Sequence, residues 1–430
     1  MSPFQKKITF YGSGGPFLDG YVIVIVGIAL TQISPQWNLT AAQNGAIGAA
    51  ALFGLMIGGL IFGYVTDRVG REVMYVIDII AICALSIFQA FAQDPMQLII
   101  YRLLMGIAIG ADYPIATSLV SEFSTREHRG FMVGVIDLMW YVGAVVAAVV
   151  GFALLNLGDD GWRWMFASAA FPGVLLLLGR LGTPESPRWL ANQGRKDEAK
   201  AVLKKVFGTG TDISEFLAEI DQPMVKTKFT KILTGKYLGR SLFCGIFWML
   251  MVIPLFALYT FGPQIFEALH ITAGLWIEII NNLFFTIGCI PALLLISRVG
   301  RRPVIVWCFA FMTVGLLLVA FAGTSMLWLI ILGLTVFAVA TGGPGILSWV
   351  YPNELFPTEV RASATGLATG ISRLGSAVGT YFVPTMIVSL GIQVTMFIMA
   401  GLCLIGWILC FFMAPETMGK TLAEASSVGE

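Results

Sequence analysis

Charged side chains are scarce in this chain of 430 residues: Asp, Glu, Lys and Arg together make up 12%. A water-soluble surface usually carries about twice that fraction. A soluble multidomain protein is therefore excluded, although the length alone would suit two or three domains. Histidine is scarcer still. His128 and His270 stand at loop edges, and no Cys or His cluster with metal-ligand spacing accompanies them, so neither a metal nor a cofactor is expected. The six cysteines (83, 244, 289, 308, 403 and 410) all fall inside apolar runs, without a C-x-x-C pair, and read as small buried hydrophobes. A net charge of +1 implies no nucleic-acid partner. No nucleophile–base pair stands out, so an enzyme is not expected.

The chain is rich instead in apolar length. Hydrophobic residues make up 57%, and the mean hydropathy is +0.84. Runs of roughly twenty residues or more recur, each long enough to cross a ~30 Å hydrocarbon slab as a helix. Twelve are counted, at about 8–33, 43–65, 72–92, 97–122, 131–155, 163–182, 240–266, 272–296, 303–322, 326–350, 364–390 and 392–413. The expected fold is an all-α integral membrane protein with twelve transmembrane helices. Basic residues then set orientation, because they stay on the cytoplasmic side. Lys6, Lys7, Arg68, Arg71, Arg126, Arg129, eight lysines between 196 and 236, Arg298, Arg301, Arg302, Arg361 and Lys420 fall on one side. The opposite loops (37–42, 93–96, 156–162, 267–271, 323–325 and 390–391) contain no Lys or Arg. Both termini are expected in the cytoplasm of a multi-pass plasma-membrane protein. The first run lacks a small-residue cleavage site and reads as a span, not a signal peptide.

The sequence also repeats at an offset of about 230 residues. "GYVTDRVGRE" (63–72) returns as "LLISRVGRRP" (294–303), "SEFSTREHRG" (121–130) as "NELFPTEVRA" (353–362), and "TPESPRWL" (183–190) as "APETMGKTL" (414–422). The expected organisation is a six-helix bundle over 1–182 and a central cytoplasmic loop with short helices over 183–239. A second, pseudo-symmetric six-helix bundle follows over 240–413, with a short tail over 414–430. Such a duplication suits an alternating-access transporter with its substrate at the midplane.

These motifs carry a family resemblance. "GYVTDRVGRE" resembles the G-x-x-x-D-R-x-G-R-[RK] loop of the major facilitator superfamily, and "PESPRWL" and "PETMGKTL" resemble signatures of its sugar-porter branch. Ser297 stands where the second loop motif has Asp, and Glu72 where the first has a basic residue. The resemblance implies the major facilitator fold and a solute transporter working as a monomer in the bilayer. It also implies that Asp67, Arg68, Arg71, Glu122, Arg129, Glu185 and Arg188, facing Arg301, Glu354, Arg361 and Glu416, form a cytoplasmic gate. The residues alone leave open a purely topological role for these charges.

Within the spans stand Asp19, Asp78, Arg102, Asp112, Asp137, Glu278 and Arg373. Charges at such depth are functional candidates by default. Asp78, close to a span end, is equally well read as structural. Counting from span ends puts Asp19 and Asp112 at similar depth, with Arg102 higher and in reach of Asp19. Two carboxylates and one guanidinium cannot all be satisfied as charges, so a proton is expected to come and go on one carboxylate; a neutral Asp bonded to a backbone carbonyl is the alternative. "YRLLMGIAIG" is similar to helix 4 of proton-coupled sugar porters, whose arginine pairs with a helix-1 aspartate, and "GADYP" to a motif of phosphate:proton symporters. Asp19, Arg102 and Asp112 are accordingly the expected proton-coupling residues.

For the substrate, Leu250 and Met251 stand where sugar porters carry a Gln pair, Asp137 where they carry another Gln, and Val252 where phosphate symporters carry an Asp. Trp349 alone matches the sugar site, and Tyr113 and Trp248 match phosphate symporters. The polar and aromatic candidates for substrate contact are Tyr113, Asp137, Trp140, Trp248, Glu278, Asn281, Asn282, Trp349 and Arg373. A guanidinium for a carboxylate and flat rings for an apolar body suit an organic anion. In Arg373 the S-R-x-G pattern of Ser372 to Gly375 also resembles organic-anion transporters. Three functions follow: a proton-coupled symporter of a small organic anion, a sugar or polyol porter (proton-coupled or passive), and a transporter-like nutrient sensor. Flux that ignores a pH gradient marks a passive porter, and a long signalling tail marks a sensor.

Overall fold

A computed structural model describes residues 3–123, 126–207, 232–233, 235–271, 274–356 and 358–419. Among the described residues every regular element is helical. Hydrocarbon offers no partner to backbone N–H and C=O groups, and an apolar helix satisfies its own. The order is α1 (Pro3–Gly12), α2 (Gly14–Gln36), α3 (Ala41–Val69), α4 (Arg71–Ala90), α5 (Pro95–Glu122) and α6 (Arg126–Leu155). The short helices α7 (Gly161–Ser168) and α8 (Ala170–Arg180) together make one crossing. Then come α9 (Pro187–Asn192), α10 (Lys196–Phe207), α11 (Lys236–Ala268), α12 (Gly274–Arg298), α13 (Arg301–Ala322), α14 (Leu327–Leu355) and α15 (Thr358–Met413).

Among the described residues eleven segments are long and apolar enough to cross a membrane. The last, Ser363–Met413, has 51 residues, more than twice what a bilayer accommodates, and it breaks at Gly391, where φ is 80°. It therefore makes two crossings, twelve in all. The described residues group into two compact units. One draws on 1–22, 54–147 and 163–225, the other on 23–53, 148–162 and 226–430.

In the first unit a core of Ile8, Tyr75, Leu119, Phe123 and Met132 gathers α1, α4, α5 and α6 at their basic ends. The amphipathic α10 lays Val202, Val206 and Phe207 against it. At the other end Arg163, just outside the loop boundary used above, donates to the carbonyls of Ala90 (2.7 Å) and Ala92 (3.0 Å). A cation there satisfies the orphan carbonyls at the C-terminus of α4. In the second unit α2 and α3 press on α11 and α15: Gln264 Nε2 donates to the Gly27 carbonyl (3.1 Å), and a methyl group on Gly45 would overlap the Tyr381 carbonyl. The unit boundaries thus cut across α2, α3 and α6 instead of following the chain's midpoint.

The internal repeat has a structural counterpart in each unit. Gly70 and Gly300, immediately before α4 and α13, share φ = 109°, a conformation costly for any residue with a Cβ. Each helix start is capped by a carboxylate from far along the chain. Glu185 accepts from the amides of Arg71 (3.0 Å) and Glu72 (3.2 Å); Glu416 accepts from those of Arg301 and Arg302 (both 3.1 Å). Replacing either by Gln should cost about 1 kcal/mol in thermal unfolding of the purified protein, and the two losses should add, since the caps share no partner. Burial opposes ionisation of Glu416, but the amides of Met418, Arg301, Arg302 and Thr417 outweigh it and hold the group below its ordinary value of 4.5. A depressed folded-state pKa stabilises above the unfolded value and loses that contribution as pH falls through the folded one. Glu416→Gln should therefore narrow the stability gap to wild type as the pH drops below about 4.5; a gap constant with pH would refute the ionised cap.

Candidate functional site

Asp112, on α5, is buried (1% exposed), and its partner is a residue outside the expected set. Arg180, the last residue of α8, sends Nη1 to Asp112 Oδ1 at 2.5 Å and to Asp78 Oδ1 at 3.4 Å. The same Nη1 donates to the Tyr75 carbonyl (3.1 Å), and Nε donates to that of Tyr11 (3.4 Å). The guanidinium carbon lies 3.8 Å from the centre of the Tyr75 ring, a close cation–π contact. Arg180, Asp78 and Tyr75 are all buried. Three helices, α4, α5 and α8, thus deliver one cation and two carboxyls to a buried site about 10 Å in from the start of α4, and α1 adds a backbone carbonyl.

The reading of Asp19 and Asp112 at similar depth is corrected here. The residue of α2 facing Asp112 is Gly15, where a methyl group would overlap the carboxylate. Asp19 lies one turn, about 6 Å, further on. The two helices meet where one of them has no side chain, and counting from span ends misses that by a turn. Asp19 accepts a hydrogen bond from Trp140 Nε1 at 2.8 Å. Arg102 is fully buried, with its guanidinium carbon 6.0 Å from the Phe166 ring centre.

In the second unit Trp248 and Trp349 meet edge to face, centres 4.9 Å apart. Asn281 and Asn282 are buried on α12. Arg373, 9% exposed, places its guanidinium carbon 5.3 Å from the Phe256 ring centre, and no carboxylate among the described residues pairs with it. The side chains of Tyr113, Asp137 and Glu278 lie outside the described residues. A groove of about 360 Å³ between α11 and the two limbs of α15 is lined by apolar side chains such as Met249, Ile253, Val378 and Phe382, a lining unsuited to a polar solute.

Of the gate candidates, Glu354 pairs with Arg301 (2.8 Å) and accepts from Thr417 Oγ1, while Arg361 Nε donates to the Phe356 carbonyl (3.4 Å). Glu185 and Glu416 serve the helix caps already described. Arg68 is exposed, and the side chains of Asp67, Glu122, Arg129 and Arg188 lie outside the described residues.

Sequence reasoning missed Arg180 and its grouping with Asp78. Standing four residues before the P-E-S-P-R motif, Arg180 looks like one more basic residue holding orientation. The repeat carried the missing signal. At offsets of 230, 232 and 231 residues, Asp78, Asp112 and Arg180 correspond to Cys308, Pro344 and Phe411, none of them charged.

Residues 8–428 match the family model described as "Sugar (and other) transporter". The chain belongs to the sugar-porter branch of the major facilitator superfamily. Among curated sugar porters and their relatives it is 44% identical to the putative metabolite transport protein YaaU of Escherichia coli strain K12, over 100% of this chain and 96% of that one. It is 30% identical to the arabinose-proton symporter of Bacillus subtilis strain 168, over 96% and 92%. The inward-open structure of the xylose transporter XylE from E. coli superposes with a TM-score of 0.85 at 22% identity, covering 99% of this chain and 100% of that one. The fold is the major facilitator fold, two pseudo-symmetric six-helix bundles, and the protein is a multi-pass membrane transporter.

Removing one member of a buried charge pair costs about 3–5 kcal/mol when it strands the other. Arg180→Gln strands two carboxyls and should fall in that range. Asp112→Asn should cost clearly less, because Asp78 remains to hold the guanidinium. Thermal unfolding of both variants checks the order, and equal losses would count against a shared counter-charge.

Proposed function

We propose that this sugar-porter relative is an alternating-access symporter that carries a small organic anion together with a proton across the cell membrane, as a monomer with both termini in the cytoplasm. The observation that carries the anion is Arg373. It is buried on α15, twelve residues or about 18 Å beyond Arg361, too deep to reach the interface. It has an aromatic face beside it and no described carboxylate to neutralise it. No acidic residue occurs anywhere in 364–413. A substrate carboxylate supplies the missing charge, and the Trp248–Trp349 pair with the buried Asn281 and Asn282 offers rings and amides to the rest of the solute; Tyr113, Asp137 and Glu278 are further candidates for substrate contact. Proton coupling runs through Asp19, Arg102 and Asp112. The B. subtilis relative named as an arabinose-proton symporter supports coupling. The charges at the basic end act as a cytoplasmic gate.

A second reading is a sugar or polyol porter. Relatives named as the glucose transporter GlcP of Staphylococcus epidermidis (28% identical) and the major myo-inositol transporter IolT of B. subtilis (27%) favour it. Uptake into proteoliposomes, screened with labelled monocarboxylates, aromatic acids, xylose, glucose and myo-inositol, separates the two. The expected result is a carboxylate accumulated against its gradient only when the outside is acidic. Arg373→Ala should weaken its affinity about ten- to hundredfold, the loss of a charge-assisted hydrogen bond of about 1.5–3 kcal/mol, and Arg373→Lys should retain part of it. Uptake of a neutral sugar, unaffected by Arg373→Ala, would overturn the anion.

A further inference from the structure

The cluster around Arg180 contains one positive charge and two carboxyls, and a single nitrogen, Arg180 Nη1, takes both Asp112 Oδ1 (2.5 Å) and Asp78 Oδ1 (3.4 Å). Oδ2 of each, fully buried, accepts from no described donor. Two carboxylates gathered on one donor repel, and because carboxylate oxygens only accept, a hydrogen bond between them would require a proton. With one proton the group is electrically neutral: one carboxylate balances Arg180 and the other is a carboxylic acid. Without it the group carries one uncompensated negative charge in a medium that does not solvate charge.

The other groups facing the pair do not change this balance. From α4, Tyr75 stacks on Arg180; from α1, Tyr11 contributes a backbone carbonyl to Arg180 and rests its ring on Gly179; from α2, Gly15 lies against the Asp112 carboxylate and brings no charge. The second bundle has Cys308, Pro344 and Phe411 at the corresponding positions, and there Gly343 packs directly on the Cys308 sulfur. The scaffold closes this corner without any charge, so the charges in the first bundle are not a requirement of the fold.

We propose that Asp78 and Asp112 bind a single proton between them, with Arg180 as the fixed counter-charge, and that this is the proton carried in the transport cycle. The assignment rests on the symport reading above. The step is an ordinary acid dissociation: an O–H bond forms with a proton taken from water and breaks by returning it to water. Its mechanical output is α2. Gly15 lies on the Asp112 carboxylate and Arg180 holds the Tyr11 carbonyl just before α2 begins, so a unit change of charge acts on the helix that carries Asp19 one turn later.

Infrared difference spectroscopy of the purified full-length protein tests this without any substrate. Wild type at neutral pH should show a carboxylic-acid C=O band that shifts in D2O and on aspartate-specific carbon-13 labelling, and that disappears as pH rises. Asp78→Asn and Asp112→Asn should each remove that same band, because either remaining carboxylate pairs with Arg180 and ionises. Arg180→Gln should add a second protonated carboxyl. A band surviving one of the two Asn variants would assign the proton to a single aspartate and overturn the sharing, and displacement of the band by sodium at constant pH would make this a cation site instead. Should the variants not fold, wild type alone decides: absence of a label-sensitive band at neutral pH sinks the proposal. A failure of the symport reading appears only in the uptake screen, so the two failures are distinguishable.

Discussion

Hydrocarbon supplies no hydrogen-bond partner and no counter-ion, and the buried polar groups of this transporter answer to that constraint. The backbone meets it with helices, which satisfy their own N–H and C=O groups. Helix ends meet it with distant side chains: Glu185 and Glu416 at the starts of α4 and α13, Arg163 at the end of α4. Buried side chains meet it by association, as Asp19 does with Trp140 and Asp112 with Arg180. Oδ2 of Asp78 and of Asp112, which accept from no described donor, and Arg373, which no described carboxylate neutralises, are therefore where solute and proton chemistry is to be sought.

Much of this was legible in the sequence. Span number follows from apolar length, which records direct contact with the bilayer, and the duplication from the repeated loop motifs. The repeated loop motifs locate both carboxylate caps but not their geometry: a Glu 114 residues after Arg71, or 115 after Arg301, becomes a helix cap only once the fold exists. Partnership inside the membrane was not legible. Asp112 was noticed because a carboxylate in an apolar run is conspicuous, while Arg180 was lost among the basic residues at span ends. Depth counted from span ends is good to about a turn, and one turn separates Gly15 from Asp19.

The two bundles share a scaffold but not a chemistry. The first holds the described buried carboxylates, and the second holds Arg373, the tryptophan pair and the buried asparagines. Identical caps at Gly70 and Gly300 show how closely the frames correspond, which makes the divergence at Asp78/Cys308 and Asp112/Pro344 informative. Duplication provided two copies of one frame, and the copies hold different tasks.

Gly391 has one more consequence. A single residue at φ = 80° joins the two limbs of α15, and a connection of that length leaves no polar loop that could be threaded across the bilayer ahead of the second limb. During biosynthesis these two segments must enter the membrane together, as one preassembled hairpin, and neither can be left behind as a stable single-pass intermediate.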